Sequence, residues 1–172
     1  MAATVQIRDM TTASITGNDR TGQQVRFYSS INVTATNSTA NPITIPGAAS
    51  DWSYTRQFRF YIAGTGPSNF LSSLQFYSDG TLWGGPTASY VLIEYDKNGP
   101  AGTFPNVDTA ISGTSIAGVT SGAAATLCPL TATYSGTSKY IGSILRLQLE
   151  VGNEASPGTL GNETITFSYN EQ

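Results

Sequence analysis

The sequence predicts an all-β domain, a single β-sandwich of the jelly-roll or Greek-key kind. Three observations carry this. The dominant apolar period is two residues. Turn formers such as Asp79-Gly80, Asn98-Gly99-Pro100, Ser156-Pro157-Gly158 and Gly161-Asn162 separate the alternating runs. Charged residues make up only 11% of the chain, and the polarity comes from Ser, Thr, Asn, Gln and 18 Gly. Neutral hydroxyl and amide side chains suit strands and turns better than helix faces.

The strands follow in order. Val5 to Arg8 is a short candidate. From Val25 the odd positions Val25, Phe27, Ser29, Ile31 and Val33 alternate with Arg26, Tyr28, Ser30, Asn32 and Thr34, which predicts a long strand with one buried face. Phe58, Phe60 and Ile62 alternate with Gln57, Arg59 and Tyr61. Leu74 to Tyr77 and Leu127 to Tyr134 are shorter candidates. Ser89 to Tyr95 is apolar on both faces, as expected of a central strand. Ile141, Leu145, Leu147, Leu149 and Val151 stand against Arg146, Gln148 and Glu150. Ile165, Phe167 and Tyr169 stand against Thr164, Thr166 and Ser168. Ser68 to Ser73 is the best helical candidate, of about one turn. The expected core is Phe27, Ile31, Phe58, Phe60, Leu145, Leu147, Leu149, Ile165 and Phe167.

The 172 residues suit one domain. A chain of this length buries about 70% of its unfolded surface. Two segments stand apart from the strand pattern. Residues 1–20 read as an N-terminal arm. Residues 97–125, rich in Gly, Ala, Thr and Ser, read as a long loop excursion with short strand pieces, lying against the domain or a neighbour and anchored by Phe104, Val107, Ile111, Ile116 and Val119.

Charge and composition restrict function. The net charge is -3, and the eight basic residues are scattered from Arg8 to Arg146, so a nucleic-acid partner is not expected. No apolar run nears the ~20 residues needed to span a bilayer. Met1 to Arg8 is polar and lacks the apolar region of a signal peptide, which fits assembly in a cytosol. The sequons at Asn32, Asn37 and Asn162 are therefore read as chance products of a Ser/Thr-rich chain. Histidine is absent, which removes Ser-His-Asp and Cys-His nucleophilic sites. The one cysteine, Cys128, forms no intrachain disulfide and builds no thiolate zinc site; apolar neighbours make it a small core residue. Glu94 and Asp96, two apart on a strand, supply at most one side of a glycosidase cleft. They read more simply as a strand end entering the Asp96-Lys97-Asn98-Gly99 turn, which also lacks the ligands of a calcium loop. The expectation is a protein that is no enzyme, with no cofactor and no metal.

Aromatics make up 10% of the chain. Trp52 precedes a strand and Trp83 lies in a loop, where either can cap the sandwich core, stack on a sugar ring or anchor an interface. Tyr28, Tyr61, Tyr140 and Ile144 fall at outward strand positions. With so few charges, such a surface is expected to self-associate as a dimer or trimer. The candidate interface residues are Ile7, Met10, Tyr28, Trp52, Tyr61, Trp83, Phe104, Ile111, Tyr140 and Ile144.

The C-terminal third carries a resemblance. Ile144-Leu145-Arg146-Leu147-Gln148-Leu149-Glu150-Val151 leads to Glu154-Ala155-Ser156-Pro157-Gly158-Thr159, then to Glu163-Thr164-Ile165-Thr166-Phe167-Ser168-Tyr169. This strand, Pro-Gly turn and Thr-rich last strand resembles small structural proteins of tailed-bacteriophage virions, especially head decoration or cement proteins. The resemblance implies a virion location, the major capsid protein as partner and self-association. It transfers no individual binding residue. A tail, neck or fibre component and a carbohydrate-binding module are the alternatives.

Overall fold

The computed structural model describes residues 4–11, 14–29, 43–64, 70–79, 91–98, 109–127, 133–135, 139–157 and 163–171. Among the described residues ten strands form: β1 (Thr4–Thr11), β2 (Ser14–Asp19), β3 (Ser50–Trp52), β4 (Arg56–Gly64), β5 (Leu71–Ser78), β6 (Val91–Asn98), β7 (Thr114–Ser115), β8 (Ala125–Thr126), β9 (Lys139–Gly152) and β10 (Ile165–Glu171). They build two antiparallel sheets, as the alternation predicts. The wide sheet runs β2-β1-β4-β9-β6-β7, with β3 pairing β9 beyond the end of β4; the narrow one runs β10-β5-β8. No helix among the described residues is long and apolar enough to cross a membrane.

The inward rows of β4 and β9 make the core. Phe58, Phe60, Ile62, Ile141, Leu145, Leu147, Leu149 and Val151 are buried, and Leu71, Leu74 and Phe76 of β5 meet them from the narrow sheet. Phe167 of β10 reaches across to Phe60, edge to face, at a centroid distance of 5.6 Å. Removing this apolar area from water is the main stabilising term, at about 25 cal/mol per Å².

The sheets are also tied through the main chain. Phe58 opposes Leu145 and Phe60 opposes Ile141, so β9 bulges at Gly142, Ser143 and Ile144. Gly142 has φ +67°, and a Cβ there would lie 2.7 Å from Leu74 Cδ1 and 3.1 Å from the Leu127 carbonyl oxygen. Glycine is favoured by that backbone, and its lack of a Cβ permits that approach. The bulge lets Ser143 N–H donate to the Leu127 carbonyl, while Leu127 N–H donates to Leu74.

Several expectations are corrected. Residues 1–20 are not a free arm from Thr4 onward. β1 is inserted between β2 and β4, and Val5 and Ile7 pack against the core. Val25 to Ser29 is not strand; Val25 and Phe27 are half-buried without a ladder, and the rest of that candidate, Ile31 included, lies outside the described residues. Leu71 to Ser73 extends β5 and forms no helical turn. Ser73, at φ 53°, supplies a bulge where Ser168 opposes Gln75 and Asn170 opposes Ser72. Most of the Leu127 to Tyr134 candidate, residues 128–132, lies outside the described residues; β8 ends at Thr126, and Tyr134 makes an isolated bridge to Leu71. The described part of 97–125, by contrast, keeps the expected character of a long excursion with short strand pieces that lies against the domain. It holds the end of β6, β7, 3-10 turns at Ile116–Gly118 and Ser121–Ala123, and β8. Its anchors Ile111, Ile116 and Val119 are buried.

Candidate functional site

Two polar clusters flank β1 and β4, one on each face. Alternation along β1 sends Gln6 and Arg8 one way and Ile7 and Asp9 the other. The register places Gln6 opposite Tyr61 and Arg8 opposite Arg59, and Tyr61 opposite Tyr140 on β9.

On the outer face these residues stack. The Arg8 guanidinium lies 3.5 Å from the Tyr61 ring centre, and its Nε donates to Gln6 Oε1. Tyr61 meets Tyr140 edge to face at 4.9 Å. Arg59 lies 5.9 Å from the Tyr140 ring and donates from Nε to the Gly142 carbonyl. Tyr140 Oη accepts a hydrogen bond from Gly17 N–H. Burial lowers the pKa of Arg59, while Tyr134 and Tyr140 oppose the shift. Each of Arg8, Arg59, Tyr61 and Tyr140 is half-buried, so the stack is held in place yet reachable. Arginine over tyrosine combines a cation–π attraction with a large, stiff contact area.

On the inner face the same residue types are shut in. Asp9 and Arg56 are 4% and 7% exposed and form an ion pair. Arg20 Nε lies 3.6 Å from the same carboxylate oxygen. Tyr28 is buried, with Arg56 5.9 Å from its ring, and its carbonyl accepts from Tyr54 N–H. Burial pushes the Asp9 carboxyl above its usual range against the pull of Arg56 and Arg20, and pushes Arg56 down. The Nε atoms of Arg20 and Arg56 have no hydrogen-bond partner among the described residues. This cluster plugs one end of the core and is closed to a partner.

The expected interface residues therefore separate. Tyr61 and Tyr140 come together in the outer stack, joined by Arg8 and Arg59. Those two arginines were not singled out, although Arg8 follows Val5 and Ile7 in the alternation and Arg59 sits between Phe58 and Phe60. Tyr28, Ile111 and Ile144 are buried and offer no outward surface. Tyr28 is held beneath Arg56. Ile111 N–H donates to Gln148 Oε1, which lays that segment over β9. Ile144 belongs to the Gly142 bulge, where strict alternation fails. Ile7 is half-buried against the core, and Trp52 is half-buried at the end of β3. Met10 pairs with Gln57 in the β1–β4 ladder. Trp83, Phe104 and Cys128 lie outside the described residues. Glu94 opposes Gln148, and Asp96 opposes Arg146, in the β6–β9 ladder. Among the described residues no group of three or more His, Cys, Asp or Glu side chains is placed to hold a metal.

No protein-family model matches the chain, nor does any curated protein or solved structure.

Proposed function

We propose that this protein is a non-enzymatic structural component of a tailed-phage virion that decorates the capsid by binding the major capsid protein. The observation that carries the reading is the outer stack of Arg8, Tyr61, Tyr140 and Arg59. Arginine and tyrosine are the residue types that most often anchor protein interfaces. Here they are ordered before binding, so little side-chain entropy remains to be lost on contact. Two of the chain's eight basic residues meet in this patch although its net charge is -3. The patch therefore suits an acidic, largely neutral protein face. The chain has no histidine and one cysteine, which agrees with a role that depends on adhesion. Attachment as a dimer or trimer multiplies a weak contact through effective concentration.

The test is particle composition. Purified heads should carry the protein in many copies, and Arg8→Ala should reduce its occupancy while the fold, read by far-UV circular dichroism, is kept. Heads that lack the protein while tails or necks retain it would replace this reading with a tail, neck or fibre role.

A further inference from the structure

The two arginines of the outer stack commit their donors differently. Arg59 donates from Nε to the Gly142 carbonyl across the β4–β9 seam, and burial lowers its pKa. Its cation serves the fold at the bulge. Arg8 is braced by side chains. Its central carbon lies 3.5 Å from the Tyr61 ring centre, which is van der Waals contact, and its Nε donates to Gln6 Oε1 at 2.9 Å. A guanidinium has five N–H donors. The Gln6 bond uses one, and the other four belong to the two terminal nitrogens, along one planar edge. The platform under Arg8 is itself fixed. Tyr61 opposes Gln6 in the β1–β4 register and meets Tyr140 edge to face at 4.9 Å. Tyr140 Oη accepts from Gly17 N–H of β2. Gln6, Arg8 and Tyr61 are each half-buried, so solvent reaches the cluster while four strands hold it.

We infer that Arg8 takes a carboxylate of the partner protein, an Asp or Glu side chain, edge-on through its two terminal nitrogens, and that Gln6 and Tyr61 are its positioning residues. This rests on the binding patch proposed above and names the chemical group that the patch receives. A planar carboxylate matches a planar fork with two parallel hydrogen bonds. Such bonds are charge-assisted and roughly twice as strong as neutral ones. A backbone carbonyl brings one oxygen and no charge to the same edge. The fork is oriented before contact, so binding costs less side-chain freedom than it would at an unbraced arginine. Arg26 supplies the contrast within the chain: it carries the same group at an exposed position.

The experiment uses the purified full chain without particles. The probe is end-blocked tetraglutamate, with end-blocked tetraglutamine as its neutral counterpart. Binding is followed through the arginine Nε–H and tyrosine ring signals in NMR spectra. Tetraglutamate should shift the Arg8 and Tyr61 signals along a saturable curve, and tetraglutamine should not. Arg8→Ala should weaken this binding roughly tenfold or more. Arg26→Ala, the same change of charge at an exposed position, should alter it by less than about twofold. Tyr61→Leu should weaken it roughly threefold, and Tyr61→Phe, which keeps the ring, should bind like the natural chain. A charge acting alone would not respond to the ring. Equal losses in Arg8→Ala and Arg26→Ala overturn the inference. So does a shift that tetraglutamine reproduces, the lack of a saturable shift, or inorganic phosphate binding more tightly than tetraglutamate at equal ionic strength. Heads that lack the protein remove the proposed function and leave this carboxylate site in place. A chain that ignores tetraglutamate, while Arg8→Ala still loses occupancy on heads, keeps the function and removes the site.

Discussion

Arg8 and Asp9 are neighbours in the chain, and they hold the two faces of β1 in opposite ways. Arg8 lies over Tyr61 in a half-exposed stack. Asp9 sits in the core layer between Arg56 and Arg20, with Tyr28 close by. Both clusters use arginine and tyrosine. What differs is access to water, and this sets what each cluster does. The outer stack stays half-exposed to water, so its charges contribute little to stability and remain available for contact. The inner cluster has lost its hydration and depends on its own partners. The contrast teaches that a surface built for binding and a plug built for folding can share one strand, one residue apart.

The comparison is broken most sharply at Asp9. Asp9→Ala leaves two largely buried guanidinium groups without their carboxylate, and breaking a buried pair in this way costs about 3–5 kcal/mol. Urea unfolding should register that loss, and Arg8→Ala should cost under about 1 kcal/mol in the same assay. Equal losses would mean the two faces are not distinct. Replacing both partners, Asp9→Leu with Arg56→Met, should recover part of the loss, because no unpaired Arg56–Asp9 charge then remains.

A smaller effect is expected at Tyr140→Phe. It keeps the ring that meets Tyr61 and removes the acceptor for the buried Gly17 N–H. The cost should be about 1–3 kcal/mol by denaturant unfolding, with attachment to particles little changed. A larger fall in attachment than in stability would move Tyr140 Oη into the binding surface.

The mildest effect concerns a carboxyl that, among the described residues, has another carboxyl beside it where Asp9 has cations. Burial, together with a hydrogen bond to Asp79 and its charge, raises Glu163 from 4.5 to about 7. The folded chain holds this proton to a higher pH than the unfolded chain does. Its contribution to stability is complete below the ordinary carboxyl range and is lost as pH rises through about 7. Unfolding midpoints should decline over that window in the natural chain and stay flatter in Glu163→Gln. An unchanged slope would remove Glu163 as the cause.

Much of the fold was legible because β4, β9 and β10 alternate strictly enough to mark their inward rows. Phe58, Phe60, Leu145 and Leu147 needed no knowledge of partners. The errors fall where a local rule meets a tertiary one. Strict alternation puts Ile144 beside Arg146 on the polar face, but the bulge at Gly142 intervenes and buries it. Val25 to Ser29 has strand periodicity, yet Tyr28 is taken up by Arg56 and no ladder forms. Asp9 and Arg56 are 47 residues apart, and each looks like an error in an inward row until the β1–β4 register brings them together. Tyr61 and Tyr140 were marked as outward, but that they touch follows only from pairing β4 with β9. The same register is needed to see that Arg8 and Arg59 complete the stack.

The Gly142 bulge has a mechanical consequence. β1 lies in the wide sheet and β10 in the narrow one, so tension between the two ends of the described chain tends to slide one sheet over the other. In a sandwich held by side chains alone, only non-directional packing opposes that sliding. Here a main-chain relay runs from Leu74 of β5 through Leu127 to Ser143 of β9, and it lies across the plane of slip like a key in a shaft. The bond that Ser143 makes to Leu127 opposes that travel, so part of the load falls on a directional bond beside one glycine.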